Sequence, residues 1–400
     1  MKLCGCLRGD PNRASRFDTA GRRTRPLVRK LLGHSFAARL MALDGAHYYQ
    51  ETPSLVNPAY LEARLRDSKA NRAPFHILDC TWYLPNAGRS ASDEFRTLGR
   101  IQGAKFFDLD AIADRSTALP HMLPSEGAFG AAMDALGIRP EDEVIVYDRQ
   151  GVFSAPRAWW TFRALGHTGG VSVLNGGLPQ WERVFGVGHM IDVGAVEMEE
   201  VARAGEACQN HSPGDSVTYK AALQTNVVKS LADVVATFEN DTGETVVDAR
   251  PAGRWQGRAP EPRQGLPSGH VPGSKNIPWD AMLDTVELEG DAGSYKRFKS
   301  EDDIRRVLSE AGLDANSTDF SDVIASCGSG TTACILVLAS EQLQVRLGFP
   351  LCLAARSIAR WRTTPHERST LTGQDGVDER LRRLLERVRR VWIPDRPGLI

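Results

Sequence analysis

Cys327-Gly328-Ser329-Gly330-Thr331-Thr332-Ala333 stands between a short apolar run, residues 322–326, and a helix-like run, residues 332–340. The first run reads as a buried strand, since it is short, apolar and closed by a turn signal. The chain then turns through two glycines and opens a helix. Those glycines let successive backbone N–H groups point inward, and the helix start adds partial positive charge. Both features favour a thiolate over a thiol, and the thiolate is the nucleophilic form of cysteine. A single cysteine in apolar surroundings also reads as inert core. The rest of the chain decides between the two.

The same pattern occurs earlier in the chain. Ile77-Leu78-Asp79 resembles Val246-Val247-Asp248, each an apolar strand ending in Asp. Gly103-Ala104-Lys105 resembles Gly273-Ser274-Lys275, and Glu143-Val144-Ile145-Val146-Tyr147-Asp148 resembles Asp322-Val323-Ile324-Ala325-Ser326-Cys327. The offsets, 169 from Asp79 to Asp248, 170 from Gly103 to Gly273 and 179 from Asp148 to Cys327, are nearly constant. That is the signature of an internal duplication. In the first copy the residues predict strands over 75–82, 143–148 and 171–174. Helices are expected over 125–136, capped by Ser125, and over 155–165, stopped by Gly166. In the second copy Ser300 with Asp303 marks the start of a helix that runs to Ala311 before Gly312. Strands alternating with helices imply mainly parallel sheets with helices on both faces, so the fold class is α/β with two tandem domains.

A chain of 400 residues suits two such domains with some length left over. It is 42% hydrophobic and 25% charged with a formal charge of -1, which gives no sign of nucleic-acid binding. Its seven cysteines form neither a disulfide framework nor a metal-binding C-x-x-C pattern. They suit a reducing compartment. No apolar stretch approaches the roughly 18 residues of a membrane span. Residues 1–43 carry eight Arg and two Lys against Asp10 and Asp18, and residues 27–40 can form a basic amphipathic helix. This is the pattern of a mitochondrial transit peptide, with a cytoplasmic extension as the alternative. The expected organisation is a basic extension over 1–50, a first domain over 51–187, and a connection over 188–224. A second domain over 225–365 and an Arg-rich tail over 366–400 follow.

Several ordered motifs carry a family resemblance: Asp79-Cys80-Thr81-Trp82-Tyr83, Phe106-Phe107-Asp108-Leu109-Asp110, His121-Met122-Leu123-Pro124 and Tyr147-Asp148-Arg149-Gln150-Gly151. Asn175-Gly176-Gly177, Asp248-Ala249-Arg250-Pro251, Glu261-Pro262-Arg263, Gly269-His270-Val271-Pro272-Gly273 and the Cys327 loop complete the set. Across residues 54–340 the chain is similar to the tandem rhodanese-domain sulfurtransferases, and among them to the 3-mercaptopyruvate branch. Its loop places neutral Gly328, Ser329 and Gly330 after the cysteine, where the thiosulfate branch carries basic side chains.

The resemblance implies a set of roles. Cys327 is the nucleophile that takes sulfur from a small-molecule donor, 3-mercaptopyruvate or thiosulfate, and passes it as a persulfide to thioredoxin, a small thiol or cyanide. Gly328, Gly330, Thr331 and Thr332 of the loop bind the substrate. Arg254 and Arg263 hold the substrate carboxylate, a task suited to a guanidinium fork. Ser329, His121 and Asp110 form a proton relay, the last two supplied by the first domain. Asp148 takes the place of Cys327 in the first copy, so that domain is expected to be inactive. No metal or cofactor is implied.

After about Ser340 the family pattern stops. A strand at 350–353 and a charged helix over 377–392 are the elements the residues still suggest, and the second domain is expected to be incomplete at its C-terminus. The abrupt loss is what a frameshift or an unspliced segment would leave. Two other readings compete for the same loop. A cysteine phosphatase needs Arg six positions after the nucleophile, and Ala333 stands there. A non-catalytic binding module remains compatible with the altered end.

Overall fold

The computed structural model describes residues 52–66, 74–117, 119–239, 242–261, 269–271, 273–288, 290, 293–314, 316–317, 320 and 322–343, with the backbone of Leu351–Cys352. The basic N-terminal stretch, the 377–392 helix and the Arg-rich tail lie outside these residues.

The duplication is visible in the sheets. The first runs Leu55–Val56, Val171–Leu174, Glu143–Tyr147, Phe75–Asp79 and Lys105–Phe106, all neighbours parallel. The second runs Val228–Lys229, Leu351–Cys352, Val323–Ser326, Thr245–Asp248 and Lys275–Asn276, also all parallel. Taken in sequence, the strands of the two copies fall into the same spatial order. In register, Asp79 lies opposite Tyr147 and Asp248 opposite Ser326. Asp148 and Cys327 therefore each begin the turn that leaves the central strand. The strand suggested at 350–353 is present as Leu351–Cys352 and occupies the place of Val171–Leu174 in the first copy.

Local chemistry explains most element ends. Ser125 accepts from the Ala128 N–H at 3.2 Å to cap Glu126–Leu136, which Gly137 closes in the left-handed conformation. Ser300 accepts from the Asp303 N–H at 3.3 Å and caps Glu301–Glu310. The first strand is shorter than 75–82. It stops at Asp79, whose carboxylate takes the Thr81 N–H at 3.0 Å and turns the chain out of the ladder. The stretch read as a connection does more than connect. It carries helix Met198–Asn210, which packs on Glu126–Leu136 and buries Val201, Ala204, Gly205 and Cys208. Small residues at that spacing make a weak apolar stripe, which is why composition alone suggested a loop.

The two copies are welded at a common core. Helix Ala155–Ala164 of the first copy packs on helix Ala333–Gln342 of the second. Trp159, Trp160, Ile335, Leu336 and Leu338 belong to one buried cluster. Residues 333–340 are buried on every side, as expected of a helix between its own sheet and a neighbouring helix. Arg163 and Glu341 pair at 3.0 Å along the same contact. A hairpin of the second copy, Leu283–Glu287 and Ser294–Phe298, lies on the turn after Asp148. The Lys296 N–H donates to Gln150 O at 3.0 Å, and the Phe298 N–H donates to Asn175 Oδ1 at 2.9 Å. Gly151 has φ of 94°, and a Cβ there would stand 2.1 Å from Lys296 O. Gly151→Ala should therefore lower stability by about 2 kcal/mol or more through strain and displacement of the hairpin, read by thermal unfolding.

Buried His167 offers a second handle. Its Nε2 lies 2.8 Å from Asp142 O, which only accepts, so Nε2 carries the proton and Nδ1 accepts from Tyr219 O–H at 2.8 Å. Burial lowers its pKa to about 4, against the opposing pull of the Asp142 carbonyl and carboxylate. An unfolded histidine titrates near 6.5, so between that value and about 4 the unfolded chain binds more protons. Stability should fall as pH drops through this window, by up to roughly 3 kcal/mol from this group. Urea unfolding of wild type and His167→Gln from pH 7 to pH 4 checks it, and the variant should lack that share of the slope.

Candidate active site

The Val323–Ser326 strand delivers Cys327 to the edge of the common core, where it is 4% exposed. The chain then turns over its sulfur, and the Gly330 N–H donates to Sγ at 3.0 Å. Gly330 has φ of 86°, which only glycine adopts without strain. Thr332 ends the turn at the start of helix Ala333–Gln342. Cys334 on that helix is fully buried, and its thiol donates to Gly330 O at 3.1 Å. Burial pushes its pKa up to about 12, as befits a core thiol. Cys80 is likewise buried, and burial together with Asp79 and Asp148 drives its pKa well up.

His121 reaches this loop from the first copy. Its Nδ1 lies 3.2 Å from Ser329 Oγ and its Nε2 lies 2.8 Å from Asp110 Oδ1. A carboxylate only accepts, so Nε2–H donates to it and Nδ1 is left to accept from a hydroxyl. The ring is buried, whereas the Asp110 side chain is 60% exposed. A file of polar groups thus runs from the Cys327 loop to solvent. The geometry brings Ser329, His121 and Asp110 together as the motifs suggested.

Two residues to which the motifs assigned no role hold this file in place. The Trp82 indole N–H donates to Asp110 Oδ2 at 2.8 Å, and its ring meets His121 edge-on at 4.7 Å. Arg157, on helix Ala155–Ala164, is buried and donates through Nη2 to His121 O. His121 has φ of 57°, a conformation uncommon outside glycine, and this bond helps to hold it there. The other Arg157 terminal nitrogen is buried without a hydrogen-bond partner. Burial lowers the pKa of Arg157, while the nearby sulfurs of Cys334 and Cys327 favour its charged form. Alternation and capping carry no signal for either role, which arises only where distant stretches of the first copy meet.

Two arginines of the second copy also reach the loop. Arg250 is held by Asp248, at 2.6 Å, and by Glu261, at 2.9 Å. Burial works against its charge, but these two carboxylates outweigh it and raise its pKa. Arg254 pairs through Nη2 with Glu261, and its Nε is buried without a partner among the described residues. The same Nη2 lies 3.2 Å from where a Cβ on Gly328 would stand, so Arg254 hangs over the loop and would have to shift for a larger residue at 328. Arg263 lies outside the described residues.

Asp148 shows what the first copy has become. Its carboxylate is fully buried and accepts four backbone N–H groups: Gln150 at 2.9 Å, Phe153 at 2.8 Å, Ser154 at 2.9 Å and Ala155 at 3.0 Å. Burial raises its pKa, and these amide bonds oppose the rise. The turn retains an anion cradle, but an aspartate fills it and a hairpin covers it.

The fold and site define a two-copy α/β protein with the Cys327 loop at the seam between copies. A rhodanese-like domain model matches residues 57–184. The chain is 39% identical over 320 residues to thiosulfate/3-mercaptopyruvate sulfurtransferase 1, mitochondrial, of Arabidopsis thaliana, covering 77% of this chain and 79% of that protein. It is 36% identical over 287 residues to 3-mercaptopyruvate sulfurtransferase of Rattus norvegicus, covering 71% and 84%. Among solved structures it resembles the 3-mercaptopyruvate sulfurtransferase SseA of Escherichia coli, with a TM-score of 0.58, 30% identity and coverage of 75% and 98%. The chain belongs to the tandem rhodanese-domain sulfurtransferases, and it is a sulfur-transferring enzyme.

Trp82→Phe removes one hydrogen bond to Asp110 while keeping a ring against His121. The loss is about 1 kcal/mol, so kcat should fall roughly fivefold with little change in melting temperature, as steady-state kinetics and thermal unfolding would read.

Proposed function

We propose that this enzyme takes sulfur from 3-mercaptopyruvate through a persulfide on Cys327 and releases pyruvate. The Cys327 thiolate attacks the donor sulfur, and the bond from that sulfur to carbon breaks. The electron pair leaves with carbon as the enolate of pyruvate. The proton of the donor thiol ends on that carbon, so the products are pyruvate and an anionic persulfide, Cys327-S-S⁻. A thiolate acceptor, from thioredoxin or a small thiol, then attacks the outer sulfur and frees Cys327. Ping-pong kinetics follow from the two stages.

The observation that carries the choice of donor is the file from Ser329 through His121 to Asp110. An enolate needs a proton beside the nucleophile, and a hydroxyl backed by imidazole and carboxylate can deliver one. Sulfite leaving from thiosulfate has no such need. The neutral loop agrees, because one carboxylate requires one main cation, and Arg254 with its unpartnered Nε is poised to provide it. Arg263 is proposed as its companion. Transfer from thiosulfate is the second reading, favoured by the double name of the Arabidopsis relative. The mitochondrial address is proposed from the Arg-rich, acid-poor residues 1–43.

Incubation with 3-mercaptopyruvate should release pyruvate and add the mass of one sulfur atom to the protein. Cys327→Ser should do neither. His121→Asn should lower kcat at least a hundredfold with mercaptopyruvate and far less with thiosulfate. A higher kcat/KM for thiosulfate than for mercaptopyruvate would reverse the assignment.

A further inference from the structure

Thr331 makes a contact that loop lining does not account for. Its Oγ1 lies 3.2 Å from His121 Nδ1, the same distance as Ser329 Oγ, and the two hydroxyl oxygens are 3.2 Å apart. The three atoms form a nearly equilateral triangle, and Thr331 is 3% exposed. Nδ1 offers one lone pair, because Nε2 holds its proton against Asp110. Only one hydroxyl at a time can donate to it well.

Two proton arrangements satisfy the triangle. In one, Ser329 donates to Nδ1 and Thr331 donates to Ser329. In the other, Thr331 donates to Nδ1, and Ser329 is released to donate elsewhere, toward a group bound over Cys327. Switching between them needs only rotation of two O–H bonds. His121, a buried imidazole, keeps its hydrogen bond in both, so neither arrangement strands an unpaired polar atom. With a Val at 331 the second arrangement vanishes, and Ser329 cannot leave the imidazole without exposing that penalty.

We propose that Thr331 is a second hydroxyl of the relay, a positioning residue that holds His121 Nδ1 when Ser329 turns to the substrate and substitutes for Ser329 when it is absent. The proposal rests on the relay reading given under Proposed function. Its consequence is redundancy. Removing either hydroxyl leaves a donor for the imidazole, whereas removing both leaves none.

The test is a double-mutant cycle of Ser329→Ala and Thr331→Val, with His121→Asn as reference and mercaptopyruvate as donor. Each single variant should lose no more than about tenfold in kcat. The double variant should fall to the His121→Asn level, well below the product of the two single losses, and should lose the acidic limb of the pH profile. Thr331→Ser in the Ser329→Ala background should keep the activity of Ser329→Ala, and Thr331→Ala should behave as Thr331→Val. These two also separate loss of the hydroxyl from loss of packing, with melting temperature and Cys327 alkylation reporting the fold. A double loss equal to the product of the single losses, or a Ser329→Ala variant already as poor as His121→Asn, overturns the proposal. If His121→Asn itself keeps full activity, the relay reading falls, and this inference with it.

Discussion

Everything at the site depends on the packing of helix Ala155–Ala164 against helix Ala333–Gln342. Each helix follows the turn that leaves the central strand of its own copy. Their contact therefore brings the live turn of one repeat against the first repeat's helix and its neighbouring loop. Arg157 rides on the first helix and holds the His121 carbonyl, while Cys327 sits at the head of the second. Without that apolar contact, the imidazole and the thiol would belong to separate bodies. The Arg163–Glu341 pair adds orientation, but a half-buried ion pair contributes little beside a continuous core.

The duplication explains why a dead copy stays shaped like a live one. Four N–H groups converge on Asp148, as a turn built to stabilise an anion would arrange them. In the second copy the Gly330 N–H meets the sulfur of Cys327 from the equivalent turn. The first copy keeps the cradle and holds a carboxylate where the second holds a thiol. Its filled turn serves instead as a seat for the hairpin Leu283–Glu287 and Ser294–Phe298. That seat is a second reason the copies form one unit, and it requires the bare backbone of Gly151.

How far the chain could be read from its residues varied with the kind of signal. Strands ending in Asp, serine caps at 125 and 300, and glycine stops at 166 and 312 are local, and the elements appear where those signals put them. Helix Met198–Asn210 went unread because Ala204, Gly205 and Cys208 are too small to mark a stripe, yet small residues are what close packing on Ala111 needs. The Cys327 loop and the Asp110, His121 and Ser329 set were legible as motifs. The roles of Trp82 and Arg157 were not, since an indole and a guanidinium acquire meaning only from what they touch.

By itself the sequence determined the repeated α/β plan and the cysteine and aspartate that stand at equivalent turns of its two copies. These follow from alternation, spacing and residue type along one stretch of chain. Only the tertiary structure decided what surrounds the sulfur. The loop at 327 and the histidine at 121 are 206 residues apart, and nothing local says that they meet. Burial of two apolar helices against each other makes them meet. The same burial gives Thr331, read from the sequence only as part of the substrate loop, an imidazole to hold.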